Sequence, residues 1–383
     1  MPSARILGAA TAIPEGTIAQ SDSALMVQAL GITQRFHRLL PGLYRKSGVE
    51  RRASVLLGPP HDDLHQRQSF YITATEKDPS GPSTAQRMQA YETFAGPLLA
   101  RAVEAALHDS HIEANQISHL ITVSCTGFCS PGIDHFLMDR FGLSEQLQRT
   151  HIGFMGCHGL LNGLRMADAI ARADASARVL VGAVELCSLH QQYCEDSEQL
   201  VANALFADGA AAAILGSPAS TAESSDAHSD AIEPLPSSTW RIVSTFSQRI
   251  PNTDQLMSWR IGNHGFQMTL SPKVPAVIEA ELEAAINGWL TPLGLTTDDI
   301  QHWAIHPGGP RILDAVGHAL GLTESQLQPS RDVLARYGNM SSPTVMFILE
   351  SISLENIEHP WCVMLGFGPG LHMEAILLHR EPI

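Results

Sequence analysis

Several segments are apolar throughout rather than alternating. Ala177–Val184 (ARVLVGAV), Ala210–Leu215 (AAAAIL), Trp361–Gly366 (WCVMLG) and Met373–Leu378 (MEAILL) read as strands buried on both faces. A sheet covered by helices on either side requires such strands. Between them lie stretches with helical spacing, most clearly Leu160–Ala173, with shorter runs at Leu98–Val103, Ile278–Leu282 and Asp332–Arg336. Strands alternating with helices predict an α/β protein.

One pattern occurs twice. A helix-like run, a polar pair (Asn115-Gln116) and the apolar Ile117–Ile121 lead into Thr122–Cys125. Later, Asp298-Asp299 and Ile300–Ala304 lead into Ile305–Gly309 after a similar run. This repetition predicts two similar halves. Gly216–Ser238, rich in Ser, Ala, Asp and Pro without apolar periodicity, reads as the loop between them. The expected division is 1–220 for the first half and 235–383 for the second.

Hydrophobic residues make up 44% of the chain and charged residues 16%, which excludes a disordered protein. Lys and Arg number 24 against 39 Asp and Glu, a net charge of −15. A nucleic-acid binder needs a basic face, so that class is excluded too. An anionic ligand would need a local basic cluster, and Arg45, Lys46, Arg51 and Arg52 in LYRKSGVERRASV supply one. Six cysteines are too few for a disulfide scaffold, and no apolar run reaches about 18 residues. These features predict a reducing, cytoplasmic setting with no membrane partner. There a cysteine is a core residue, a metal ligand or a nucleophile.

Cys157 fits the last role best. It lies between Gly156 and Gly159 at the start of the Leu160–Ala173 run, where unpaired N–H groups and the positive dipole end favour a thiolate. A nucleophile needs a partner. His306 ends a buried-looking strand before Pro-Gly-Gly-Pro, the strand end at which open α/β sheets bind ligands. Asn339 sits in a Gly-Asn turn (RYGNMSSPT), and Gly366–Gly370 (GFGPG) form a turn that lets backbone approach closely.

The segments GFMGCHG, ALFADGAAAAILG, IHPGGPRILDAV, YGNMSSPTVMFILE and LGFGPGLHMEAILLH resemble, in order and spacing, the motifs of the type III polyketide synthases. That family contains the plant chalcone and stilbene synthases and their bacterial relatives. The resemblance runs from about residue 12 to the C-terminus. It implies a thiolase-like fold of duplicated αβαβα halves with a five-layered core, and a Cys157–His306–Asn339 triad. It further implies that an acyl-CoA starter loads onto the cysteine. Decarboxylation of malonyl-CoA then yields a carbanion that extends the chain, and cyclisation gives a pyrone, resorcinol or related phenolic product. His306 and Asn339 would stabilise the enolate oxygen. No cofactor or metal is implied beyond the CoA substrates, and the family is homodimeric.

By the same resemblance, Phe206 and Phe266 are gatekeepers between the CoA tunnel and the inner cavity. Cys125, Thr126, Ser130, Glu185, Cys187, His190, Ser341, Gly366, Phe367, Gly368, Pro369 and Gly370 line the pocket. Arg45, Lys46, Arg51 and Arg52, with Gly308 and Gly309, hold the CoA. Ser130 would reach the neighbouring subunit's cavity, and Ser130–Pro131 is a candidate cis peptide.

The chain departs from the plant pattern at several places. Cys125, Cys187 and His190 alter the pocket, Ser130 replaces a Met, and His158 follows the nucleophile where plant enzymes carry Phe. These changes point to a bacterial-type branch and to an alkylpyrone or alkylresorcinol product. A ketoacyl-ACP synthase III-like enzyme would share the triad. A papain-like hydrolase would share the Cys, His, Asn order but not the local sequence. A zinc module would need a second Cys pair to answer Cys125 and Cys129.

Overall fold

The computed structural model describes residues 4–59, 63–76, 78–217, 238–353 and 359–382. Most of the predicted inter-half loop, residues 218–237, lies outside the described residues. Nine strands form one sheet: β1 Arg5–Ala12, β2 His119–Ser124, β3 Gln148–Gly153, β4 Arg178–Leu186, β5 Asp208–Gly216, β6 Ser238–Arg249, β7 His302–Ile305, β8 Trp361–Gly368 and β9 His372–Pro382. The helices that matter for the site are α1 Thr84–Ser110, α2 Gly159–Ala173, α3 Ser197–Leu205, α4 Val274–Leu290, α5 Pro310–Leu320, α6 Glu324–Tyr337 and α7 Thr344–Ser353. Among the described residues no helix is long and apolar enough to cross a membrane.

The strand order is β7-β8-β9-β6-β1-β5-β4-β2-β3. Read outward from the centre, β1-β5-β4-β2 in one half mirrors β6-β9-β8-β7 in the other. Both begin with two antiparallel pairings and end with a parallel one. The halves join where β1 pairs with β6 at Arg5–Arg241 and Ile6–Trp240. The duplication expected from the repeated motif is therefore present in the sheet.

Side-chain alternation sorts the strand residues into layers. On β4, Val179, Val181 and Ala183 face a central layer that contains Leu160, Leu161 and Leu164 of α2 and Val345–Leu349 of α7. Leu180, Val184 and Leu186 of the same strand face the other way, onto Leu98, Leu99 and Val103 of α1. In the second half, Val363, Leu365 and Leu377 pack on Ile278, Leu282, Leu313 and Val316 of α4 and α5. The result is helix, sheet, helix pair, sheet, helix: five layers. Both faces of each half-sheet are covered, which is why these strands carry no polar alternation.

Leu164 is fully buried in the central layer. Leu164→Ala should cost about 2–5 kcal/mol in a urea titration. Leu293→Ala, at a side chain 42% exposed, should change stability by no more than about 0.5 kcal/mol. Equal effects would contradict the layer assignment.

Candidate active site

The nucleophile turn begins where β3 ends. Phe154 and Gly156 both adopt left-handed backbone (φ 56° and 71°), and Gly156–His158 form one 3-10 turn before α2. Gly156 cannot carry a side chain, because a Cβ there would lie 2.6 Å from Pro369 Cδ. A Cβ on Gly366 would lie 3.3 Å from His158 Cβ, and one on Gly368 would overlap the His158 ring. The glycines of GFGPG thus let that segment press directly on the Cys157 turn.

His306 follows β7, its N–H donating to the Leu365 carbonyl at 2.8 Å. Its ring is 1% exposed, and neither ring nitrogen has a hydrogen-bond partner among the described residues. Burial, with a smaller contribution from His158, pushes its pKa down to about 3. Asn339 is fixed by backbone on both sides of Phe206: its N–H donates to Leu205 O and its carbonyl accepts from Ala207 N, each at 2.9 Å. Ser341, left-handed at φ 56°, donates its N–H to Asn339 Oδ1 at 2.8 Å. Cys157 is half-buried and lines a cavity. Burial pushes its thiol up to about 12, against the lowering effect of the Ser341 hydroxyl. This desolvation opposes the thiolate that a helix start favours.

Cys157, His306 and Asn339 line one cavity of about 20 Å³ with Phe206, Met268 and Phe367. It opens outward, past Leu205, Leu270, Gly308 and Ile312, into a mouth of about 400 Å³ flanked by Lys46, Ser47, Gly309 and Arg311. Inward, past Phe206 and Met268, it meets a second chamber of about 20 Å³ lined by Cys125, Thr126, Cys187, Ser341 and Pro369. Cys187, Phe206, Trp259 and Met268 border both this chamber and a side chamber of about 80 Å³. About 20 Å³ holds roughly one water, so an acyl chain needs lining side chains to shift, and Met257 and Met268 are the flexible ones there.

Several expected site residues sit elsewhere. Phe266 is buried behind the wall, stacked 4.2 Å from His190. Met268, two residues along the same strand face, occupies the position opposite Phe206 that was assigned to Phe266. Arg52 is buried and donates to the carbonyls of Asn203 (2.6 Å) and Phe206 (3.0 Å) and to Ser23, so it is not free for phosphates. Arg45 and Arg51 are exposed, but of the four only Lys46 lines the mouth, joined by Arg311. Glu185 lies behind the chamber. Its carboxylate accepts from Cys125 N (2.9 Å), Thr126 Oγ1 (2.8 Å) and Ser342 Oγ (2.8 Å) and ties three segments together. His190 donates Nε2–H to Thr126 O at 2.6 Å and accepts from Phe266 N at 3.0 Å. Both its nitrogens are used, so it walls the side chamber. Ser130 is exposed in a separate surface hollow of about 280 Å³, ahead of a cis Ser130–Pro131 bond.

The residues that sequence reasoning missed come from the hairpin Met257–Gly262 and Gly265–Leu270: Met257, Trp259 and Met268. Trp259 donates Nε1–H to Cys125 O at 2.7 Å, which pins the indole as a wall. The period-two spacing of Met257 and Trp259, and of Phe266 and Met268, was the available signal.

Residues 3–219 match the family model for the N-terminal domain of chalcone and stilbene synthases, and residues 241–382 match that for the C-terminal domain. The chain is 31% identical to the alpha-pyrone synthesis polyketide synthase-like Pks18 of Mycobacterium tuberculosis, over 97% of this chain and 90% of that protein. It is 33% identical to the 1,3,6,8-tetrahydroxynaphthalene synthase of Streptomyces peucetius, over 96% and 91%. The solved structure of PKS-I from the brown alga Ectocarpus siliculosus superposes with a TM-score of 0.85 at 28% identity, covering 100% of this chain and 99% of that one. With both domains matched, the chain belongs to the chalcone and stilbene synthase family and is a type III polyketide synthase.

Proposed function

We propose that Cys157 carries the acyl chain, that His306 serves it as base, and that His306 and Asn339 together hold the thioester oxygen during decarboxylation. The observation that carries this reading is the buried His306 ring with both nitrogens unpartnered among the described residues, in the same cavity as Cys157 and Asn339. Buried polar groups are normally paired, so these donors and acceptors await a ligand.

In loading, Cys157 Sγ attacks the starter thioester while His306 takes its proton, and the CoA thiolate leaves with that proton. With a neutral thiol and a neutral imidazole at rest, the proton moves as the sulfur attacks. In extension, malonyl-CoA loses carbon dioxide. The thioester oxygen gains charge between a His306 N–H and the Asn339 amide, and the carbanion displaces Sγ from the acyl group.

The mouth supports CoA entry past Lys46 and Arg311, with Gly308 and Gly309 allowing close approach. The small side chains of Cys125 and Cys187 support an alkyl starter. The name of the mycobacterial relative, with the pocket departures from plant enzymes, favours an alkylpyrone product over an alkylresorcinol. The exposed Phe128 (63%), Phe154 (43%) and Met155 (46%) lie near the Ser130 hollow, because β2 and β3 pair as far as Ser124–Gly153. They favour a homodimer through this face. Cytoplasmic action without a bound cofactor completes the reading.

Asn339→Ala should lower malonyl-CoA decarboxylation by about 10²–10³ while starter loading persists. Unchanged decarboxylation would contradict the role. The thiolate fraction below a thiol's pKa rises about tenfold per pH unit. Iodoacetamide alkylation of substrate-free Cys157 should therefore climb steadily from about pH 7 to about pH 9. A plateau across that range would instead mean a preformed thiolate–imidazolium pair.

A further inference from the structure

The nucleophile turn has a second polar side chain, directed away from the substrate. His158 follows Cys157, and its ring is 4% exposed. It lines neither cavity to which Cys157 contributes. Its Nδ1 lies 2.8 Å from Asn162 Oδ1. With a carbonyl oxygen as acceptor, Nδ1 carries the proton and donates it. The opposite edge of the ring covers the Cα of Gly368 so closely that no side chain fits there.

His158, the residue just before α2, and Asn162 and Arg165 within it recur at helical spacing. Opposite them, His372 and Glu374 share one face of β9. The His158 and His372 rings are 6.2 Å apart. Arg165 binds the Glu374 carboxylate at 2.6 Å, and Ser247 Oγ donates to it at 2.7 Å. A polar seam thus runs along an otherwise apolar helix–sheet contact, and its end lies beside the nucleophile.

We propose that His158 is a positioning residue: the Nδ1–H···Asn162 bond and the ring's contact with Gly368 hold the Cys157 turn against GFGPG, with Sγ in the cavity shared with His306 and Asn339. The Phe that plant enzymes carry here would fill the space but could not donate. This inference rests on Cys157 carrying the acyl group.

The test uses His158→Phe, which keeps the ring and loses the donor, and His158→Asn, which keeps a donor at the Nδ1 position. Asn162→Leu removes the acceptor at similar volume, and the fourth variant is the double His158→Phe/Asn162→Leu. For turnover of an acyl-CoA starter with malonyl-CoA, His158→Phe should lower kcat about tenfold, the rate equivalent of one hydrogen bond. KM for malonyl-CoA should stay within about twofold, because the binding surface is untouched. His158→Asn should restore most of kcat. Asn162→Leu should match His158→Phe, and the double variant should lose no more than either. A wild-type kcat in His158→Phe, a loss that His158→Asn does not restore, or losses that multiply in the double variant would each overturn the proposal. Should His158→Phe fail to fold, Asn162→Leu alone decides by the same kcat-against-KM reading. Intact mass on the same samples separates the two layers of the argument. No acyl adduct on wild-type Cys157 would remove the underlying assignment, whereas normal loading with unchanged kcat would remove only the role of His158.

Discussion

A buried polar atom without a hydrogen-bond partner costs roughly 1–3 kcal/mol, and His306 carries two such atoms. Everything around the ring makes that arrangement tolerable. Its backbone is tied to β8 through the Leu365 carbonyl, and Leu205, Phe206, Ile312 and Phe367 give its cavity a largely apolar lining. The same desolvation disfavours the charged forms of imidazole and thiol and strengthens any hydrogen bond a substrate oxygen makes there. In the proposed function this unsatisfied polarity is the source of reactivity, and the five-layered core supplies the stability to sustain it.

The duplicated sheet explains how three residues far apart in sequence meet. Cys157 comes from the loop after β3, His306 from the end of β7 and Asn339 from the turn after α6. Joined through β1 and β6, the two half-sheets direct these ends toward each other across the central helix pair. Glycine completes the approach: Gly156, Gly366 and Gly368 bring two backbones together at a distance no side chain permits.

The fold was largely legible because burial on both faces leaves a plain mark: apolar runs such as Ala210–Leu215 and Trp361–Gly366 became β5 and β8. That Cys157, His306 and Asn339 come together in one cavity was legible because each sits beside glycines that have a geometric cause. What sequence could not fix was which side chain of a local group faces the cavity. Arg52 belongs to a basic run yet is used by carbonyls of residues 203 and 206, more than 150 positions away. Phe266 and Met268 share a strand face, so only the packing of His190 and Trp259 decides which of them reaches the chamber. The family resemblance puts Glu185 in the pocket, but three donors from two distant segments claim its carboxylate.

The proposed chemistry stands on one covalent bond. Cys125, Cys157 and Cys187 all face the same inner chamber, so each is a physically accessible thiol for an acyl group that has entered. Only Cys157 also shares a cavity with His306 and Asn339. Incubation with an acyl-CoA starter, rapid acid quench and peptide mapping by mass spectrometry would report which sulfur is acylated. The account predicts a thioester adduct on the Cys157 peptide alone, absent in Cys157→Ala. An adduct on Cys125 or Cys187 that survives Cys157→Ala would contradict it.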